Sequence, residues 1–348
     1  MTRTADPAEL APIRSWENVD AGRFLSEIVP LKEPAILKGL VADWPAVKKA
    51  QESSAALADY LTSFGSAHAV NAFIGDPDIR GRFFYDDEFR GFNFERRELA
   101  LGELVTTLLE HVDDSDPPSI YAGAIPLKDE LSGIVEQNAN FLLDDAVEQL
   151  VSIWIGNRGQ TATHWDLAQN IACVVGGRRR FTLFAPDQLQ NLYIGPLDFT
   201  LAGQPISLVD LQNPDYERYP RFREALLNAQ SAELEPGDAI YIPSMWFHHV
   251  AALDAFGVLI NFWWRESASY MFTPLLTLMH ALLSIRDLPE DERESWKRMF
   301  DHYIFQSEGE PMDHVPEHAR GFLGQMTPEQ VNRLRAFLTH SLGGQPRR

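Results

Sequence analysis

His164, Trp165 and Asp166 form a tripeptide whose outer members can both bind a metal, and His248 follows further along the chain. Two imidazoles and one carboxylate can hold iron(II) on one face and leave the opposite positions open for substrate and dioxygen. The same donors would also suit zinc. A His-x-Asp pair acts this way only on an extended backbone, where side chains at i and i+2 point to one side. The flanking segments Ile153-Trp154-Ile155-Gly156 and Ile171-Ala172-Cys173-Val174-Val175 read as strands, which would aim both ligands into one lumen. Alone, such a pair would also suit a surface turn. The surroundings of His248 shift the balance: a Pro236-Gly237 turn, an apolar strand ending at Ile242, a Pro243-Ser244 break, then His248-His249 leading into a second apolar run. Adjacent strand residues face opposite ways, so only one of the two histidines can reach the metal.

The elements that must position these residues follow from periodicity. Asp20 is a plausible N-cap for a short helix with Phe24, Leu25 and Ile28 on its apolar side. Ala35-Ile36-Leu37, residues 69–74, Arg82-Phe83-Phe84-Tyr85 and residues 119–123 read as strands, and residues 53–62 as a helix. A second helix is expected over 98–111, with Leu99, Leu101, Leu104, Val105 and Leu108 at helical spacing. Residues 150–265 hold mostly strands, three of them between 231 and 264. The stretch 195–219, rich in Gly and Pro, reads as a long loop of the kind that borders an active-site mouth.

From Ser267 the texture turns helical. Met271, Phe272, Leu275, Leu276, Leu278, Met279, Leu282, Leu283 and Ile285 make a helix apolar nearly all round, expected to be buried on more than one side. Thr327-Pro328-Glu329-Gln330 opens a last helix, with Thr327 as cap and Gln330 placed for a capping box; Leu334, Phe337 and Leu338 follow. The expected fold class is mainly β with helices (α+β). Residues 1–120 are an N-terminal elaboration packed on a barrel, 121–266 the barrel, and 267–348 a C-terminal helical region. That region would either pack within the chain or form a dimer interface.

Composition sets outer bounds. The 348 residues, 45% hydrophobic and 11% aromatic, can bury a sizeable core in one large domain or two. No apolar run reaches 18 residues, so no membrane span is expected, and the first seven residues carry no secretory signal. The one cysteine, Cys173, sits in an apolar run as a buried small hydrophobe, which suits a reducing cytoplasm. A net charge of -20 argues against a phosphate-backbone partner, so no nucleic acid is expected. Arg178-Arg179-Arg180 lies within a strand, where Arg179 should face away from its two neighbours.

Several segments in a fixed order carry a family resemblance. They are Glu33-Pro34-Ala35-Ile36-Leu37-Lys38-Gly39-Leu40 with Asp43-Trp44-Pro45, then Ile155-Gly156 and residues 161–166, then Asn170 with residues 177–184. Ile242-Pro243, Trp246-Phe247-His248-His249 and Asn261-Phe262-Trp263 complete the set. The chain resembles the JmjC/cupin-type 2-oxoglutarate oxygenases, in particular the subgroup of the asparaginyl hydroxylase that modifies hypoxia-inducible factor. The resemblance implies a double-stranded β-helix (jelly-roll or cupin) barrel and selects His248, directly after the two aromatics, as third ligand beside His164 and Asp166. It implies iron(II), 2-oxoglutarate as co-substrate and O2, and hydroxylation of an unactivated C–H bond, first of all on a protein side chain. The same chemistry on a small molecule or a nucleobase, or a catalytically silent cupin binding module, are the other readings. Arg179 falls where that hydroxylase has a lysine for the far carboxylate of 2-oxoglutarate, a departure that replaces a point charge by a planar fork. Thr161 and Tyr121 match hydroxyls that reach the same carboxylate. Asn170 and Asn261 match polar positions near the other end of the co-substrate, and Trp263 a neighbouring aromatic. In the resembled hydroxylase the C-terminal helices make a homodimer.

Overall fold

The computed structural model describes residues 10–128, 131–144, 146–306 and 309–343. The first residues, from which the absence of a secretory signal was expected, lie outside the described residues. Among the described residues, fourteen strands run in chain order: β1 (Ala11–Pro12), β2 (Ser15–Glu17), β3 (Ala35–Lys38), β4 (Ala69–Gly75), β5 (Glu95–Ala100), β6 (Ser119–Pro126) and β7 (Gln149–Gly156). Then come β8 (Gly159–Trp165), β9 (Gln169–Gly176), β10 (Arg179–Phe184), β11 (Gln230–Leu234), β12 (Ala239–Ile242), β13 (Phe247–Ala252) and β14 (Gly257–Trp264). One sheet has the order β1-β11-β10-β13-β8, the other β2-β3-β12-β9-β14-β7-β6-β4-β5. Strands β7, β9, β12 and β14 lie in one sheet and β8, β10, β11 and β13 in the other, all in antiparallel pairs, which is a jelly roll.

Alternation along the strands explains why the sequence there is apolar without a break. In β9, Ile171, Cys173 and Val175 face one core while Ala172 and Val174 face another. In β12 the same division separates Ala239 and Tyr241 from Ile240 and Ile242. The first core lies under the helices Pro45–Glu52, Ser54–Thr62 and Leu101–Glu110; the second, with Phe181, Leu183 and Leu259, fills the space between the sheets. A strand buried on both faces must be apolar at every position. Polar residues on the inner face, such as Asn170, Arg179 and Asn261, therefore stand out.

Asp20 does cap its helix, accepting from the Arg23 backbone N–H at 2.8 Å, although Leu25 is exposed. Four expectations need correction. Residues 95–100 form β5, and the helix begins only at Leu101; Leu99 pairs with Val70 instead of joining the helical stripe. Arg82 to Tyr85 make isolated bridges only, because Arg80 and Gly81 adopt left-handed backbone and turn the chain; Phe83, Phe84 and Tyr85 are buried in an aromatic cluster. The stretch from 230 to 264 holds four strands, since Gly237 (φ 104) and Met245 (φ 70) divide it more finely than its hydropathy suggests.

The chain divides into two compact units, Met1–Arg265 and Glu266–Arg348. The second is helical, with helices Pro274–Ser284, Glu290–Tyr303 and Pro328–Gly343. The expected capping box is formed: Gln330 N donates to Thr327 Oγ1 at 3.3 Å and Thr327 N to Gln330 Oε1 at 2.9 Å. The expected burial of the first helix is the fourth correction. None of its side chains is buried, and Leu283 is 88% exposed, because its apolar residues ring the axis and the described chain covers none of them fully.

Candidate functional site

His164 lies in β8 directly opposite His248 in β13, and the two rings stand 4.2 Å apart. Asp166 follows just past the end of β8, two residues from His164 and hence on its side. His248 Nε2 is 3.6 Å from Asp166 Oδ2, and one donor atom from each of the three residues lies within 4.8 Å of the others. Bonds of about 2.1 Å to a shared ion allow donor atoms up to about 4.2 Å apart, so the His248–Asp166 pair already fits one. His164 Nδ1 is 2.9 Å from the Ala162 carbonyl and His248 Nδ1 3.1 Å from that of Trp246. A carbonyl can only accept, so each Nδ1 carries the hydrogen and each Nε2 keeps its lone pair. Burial first, then the neighbouring His164, lowers the His248 pKa to about 4, which keeps its imidazole neutral and able to ligate.

The turn between β12 and β13 ties this geometry together. Met245 takes a left-handed backbone and donates to the Asp166 carbonyl at 2.9 Å, joining the segment that delivers His248 to the one that delivers Asp166. His249 faces away and sits 3.0 Å from Gln160 Oε1 through Nε2. Between His248 and Val250 the register of β13 on β8 shifts, so that one extra residue of β8 is accommodated. That bulge lets Thr161 and His164, three apart, both line the cavity; regular alternation would have sent them to opposite faces.

Arg179 points inward with Phe181 and is 6% exposed, whereas Arg178 and Arg180 face out and pair with Glu233. Burial lowers the Arg179 pKa to about 10; no carboxylate of the described chain pairs with it, and its Nε has no hydrogen-bond partner. A buried cation left so is costly unless an anion completes it. Tyr121 stands near, pushed up to about 12 by burial, with Thr161 beside it in the cavity lining. Asn261 accepts from Trp154 Nε1 at 2.6 Å and donates to Asn170 Oδ1 at 3.4 Å. All eight residues singled out from the sequence, His164, Asp166, His248, Arg179, Thr161, Tyr121, Asn170 and Asn261, line this one inner cavity. The donor set suits iron(II), and the cation, phenol and hydroxyl suit the far carboxylate of a dicarboxylic acid.

Sequence reasoning missed Trp154, which lines the cavity from β7; its place two residues before Gly156 on the inner face was the available signal. It also missed Asn71, Arg96 and Gln204, which line the outer part. The loop over 195–219 does border that mouth, through Leu201, Ala202, Gln204 and Ile206.

A family model described as a cupin-like domain matches residues 21–270. Lysine-specific demethylase JMJ31 of Arabidopsis thaliana is 27% identical over 289 residues, which are 74% of this chain and 51% of that protein. tRNA wybutosine-synthesizing protein 5 of Gallus gallus is 27% identical over 329 residues, 86% of this chain and 95% of that protein. HSPB1-associated protein 1 of Homo sapiens is 34% identical over 114 residues, 32% of this chain and 23% of that protein. The chain thus spans about half the length of the plant demethylase and nearly all of the wybutosine protein. The latter, named for tRNA, overturns the expectation that nucleic acid plays no part. A net charge sums over the whole surface and does not bar a local nucleic-acid site.

Proposed function

We propose that this chain, which belongs to the cupin-like domain family and is an iron(II)- and 2-oxoglutarate-dependent oxygenase, hydroxylates an unactivated C–H bond of a protein side chain. One observation carries the assignment of residues: a single cavity is lined both by three converging donor atoms and by a buried, unpaired guanidinium. His164, Asp166 and His248 hold the iron. Arg179 grips the far carboxylate of 2-oxoglutarate, with Tyr121 and Thr161 donating to the same group. Asn170 and Asn261 orient the near end. Iron with 2-oxoglutarate and O2 supplies the oxidising power and leaves succinate and carbon dioxide as co-products. Phe181, Ile242 and Leu259 line the inner wall and keep water from the reacting atoms.

A second reading, a nucleoside of tRNA as substrate, is favoured by the alignment that runs nearly the full length of the wybutosine protein. A small molecule is the third substrate class. A silent binding module has no need of all three donors and ranks last. A chain whose one cysteine is buried suits the cytoplasm. The C-terminal helices, with Leu276 and Leu283 exposed, form a homodimer interface.

The assay is succinate release from labelled 2-oxoglutarate in the presence of iron(II) and ascorbate. Turnover lost in His164→Ala and Asp166→Ala supports the reading. A wild-type protein that neither binds nor turns over 2-oxoglutarate sinks it. Anaerobic capture from peptide and tRNA pools then separates the two substrate classes.

A further inference from the structure

We propose that Arg96 anchors an anionic group borne by a planar substrate moiety. The proposal rests on the oxygenase reading and specifies which substrates its cavity takes. Arg96 in β5 lies opposite Phe73 in β4, which lies opposite Tyr121 in β6. Directly opposed residues share a sheet face. Neighbouring strands are about 4.8 Å apart, so Arg96 stands roughly 10 Å from Tyr121 along the row. All three line a cavity of about 480 Å3 that also holds His164 and Asp166. Tyr121 marks its inner end and Arg96 its exposed rim. Between them the walls are rings, Phe73, Phe83, Trp154 and Trp263, whose faces and edges favour a flat apolar guest.

The guanidinium of Arg96 is held in place. It lies 5.2 Å from the Phe73 ring centre and 5.5 Å from that of Phe92, and its Nη2 donates to the Leu201 carbonyl. It forms no ion pair among the described residues, although Glu98 lies two residues on along the same face of β5. A guanidinium has five donors, and one is used here. The side-chain amides of Asn71 and Gln204 line the same outer part. In a chain of net charge -20, an unneutralised cation fixed on aromatic rings at the cavity mouth is preorganised for a carboxylate or phosphate. The flat part of the guest then lies on Phe73 and Phe83 with its reacting carbon toward His164 and Asp166.

Calorimetric titration of the anaerobic protein, saturated with iron(II) and 2-oxoglutarate, tests this with three probes: 2-naphthoate, 2-naphthyl phosphate and neutral 2-naphthalenemethanol. At least one anionic probe should bind ten or more times tighter than the alcohol, and the tighter of the two identifies the anion. Arg96→Gln should remove that advantage, and Arg96→Lys should keep part of it; melting temperatures check that both variants fold. An anionic preference unchanged in Arg96→Gln overturns the proposal. So does displacement of 2-oxoglutarate by naphthoate, or a wild type that prefers no anion. Succinate release is measured separately: its absence in the wild type defeats the oxygenase reading, while the probe affinities still decide the role of Arg96.

Discussion

Arg179 combines a buried guanidinium with an orphaned Nε inside an otherwise apolar strand face, next to Phe181. Replacing a buried, unpaired charge by an apolar side chain of similar length removes its desolvation cost. Arg179→Met should therefore raise the melting temperature of the ligand-free protein while weakening 2-oxoglutarate binding by two to five kcal/mol, about 30-fold or more. Arg179→Lys should retain most of the affinity. Calorimetry that finds unchanged 2-oxoglutarate affinity in Arg179→Met shows that another cation reads the carboxylate. The paired histidines give a second test. His248→Ala should lose bound iron, whereas His249→Gln, on the far side of the strand beside Gln160, should keep it; metal analysis after dialysis decides. The convergence of His164 and Asp166 was legible because i and i+2 share a face in any strand. The position of Thr161 was not legible from alternation, since a bulge shows no hydropathy signal, and only the family resemblance pointed there.

The turn from β9 to β10 sets where Arg179 begins. Gly177 has φ 67, and a Cβ there would meet the Phe256 carbonyl at 2.6 Å. Gly177→Ala adds a left-handed penalty of about 1–2 kcal/mol to a backbone clash. Urea unfolding should show a loss above that figure, with weaker 2-oxoglutarate binding because the strand start moves. At the same end of β10, Asp254 accepts from the Arg178 guanidinium Nη2 at 2.9 Å and its backbone N–H at 2.7 Å. The side-chain bond first, and the backbone bond with it, holds the Asp254 carboxyl below its ordinary 3.8. A depressed folded value means that the stabilisation is present above pH 3.8 and fades as pH falls below it through the folded value. The pair is solvent-accessible, so Asp254→Asn should cost less than about 1 kcal/mol at neutral pH. Denaturation curves of variant and wild type should converge in acid; a difference that persists at pH 2 rules out this source. Strand β5 shows why elements can be misread. Glu98, Leu99 and Ala100 lead into a leucine-rich run and look like a helical first turn, yet pairing with β4 outweighs that local pattern. The double-sided apolar strands β9, β12 and β14 were readable because burial on both faces favours apolar residues nearly throughout, Asn170 and Asn261 at the site being buried exceptions.

At the scale of the whole chain, the helical unit from Glu266 onward departs most from what its residues would settle for alone. The helix Pro274–Ser284 is apolar on nearly every side, yet it buries no side chain. Leu276 is 58% exposed and Leu283 88%. Phe337 and Leu342 on the last helix are exposed as well. Large apolar side chains exposed in such number on a water-exposed chain point to an interaction site. A second copy is the occupant proposed above, and two copies of net charge -20 repel each other. If apolar contact drives the association, raising salt screens that repulsion and should strengthen the dimer. Sedimentation at micromolar concentration should therefore give a dimer that tightens between low and moderate salt. The double variant Leu276→Glu, Leu283→Glu should sediment as a monomer while keeping the succinate activity of the barrel, whose cavity lining among the described residues runs from Asn71 to Trp263. A wild type that stays monomeric at every salt concentration removes the second copy as the occupant. A dimer that weakens with salt would mean instead that ion pairs, and not these leucines, hold the copies together.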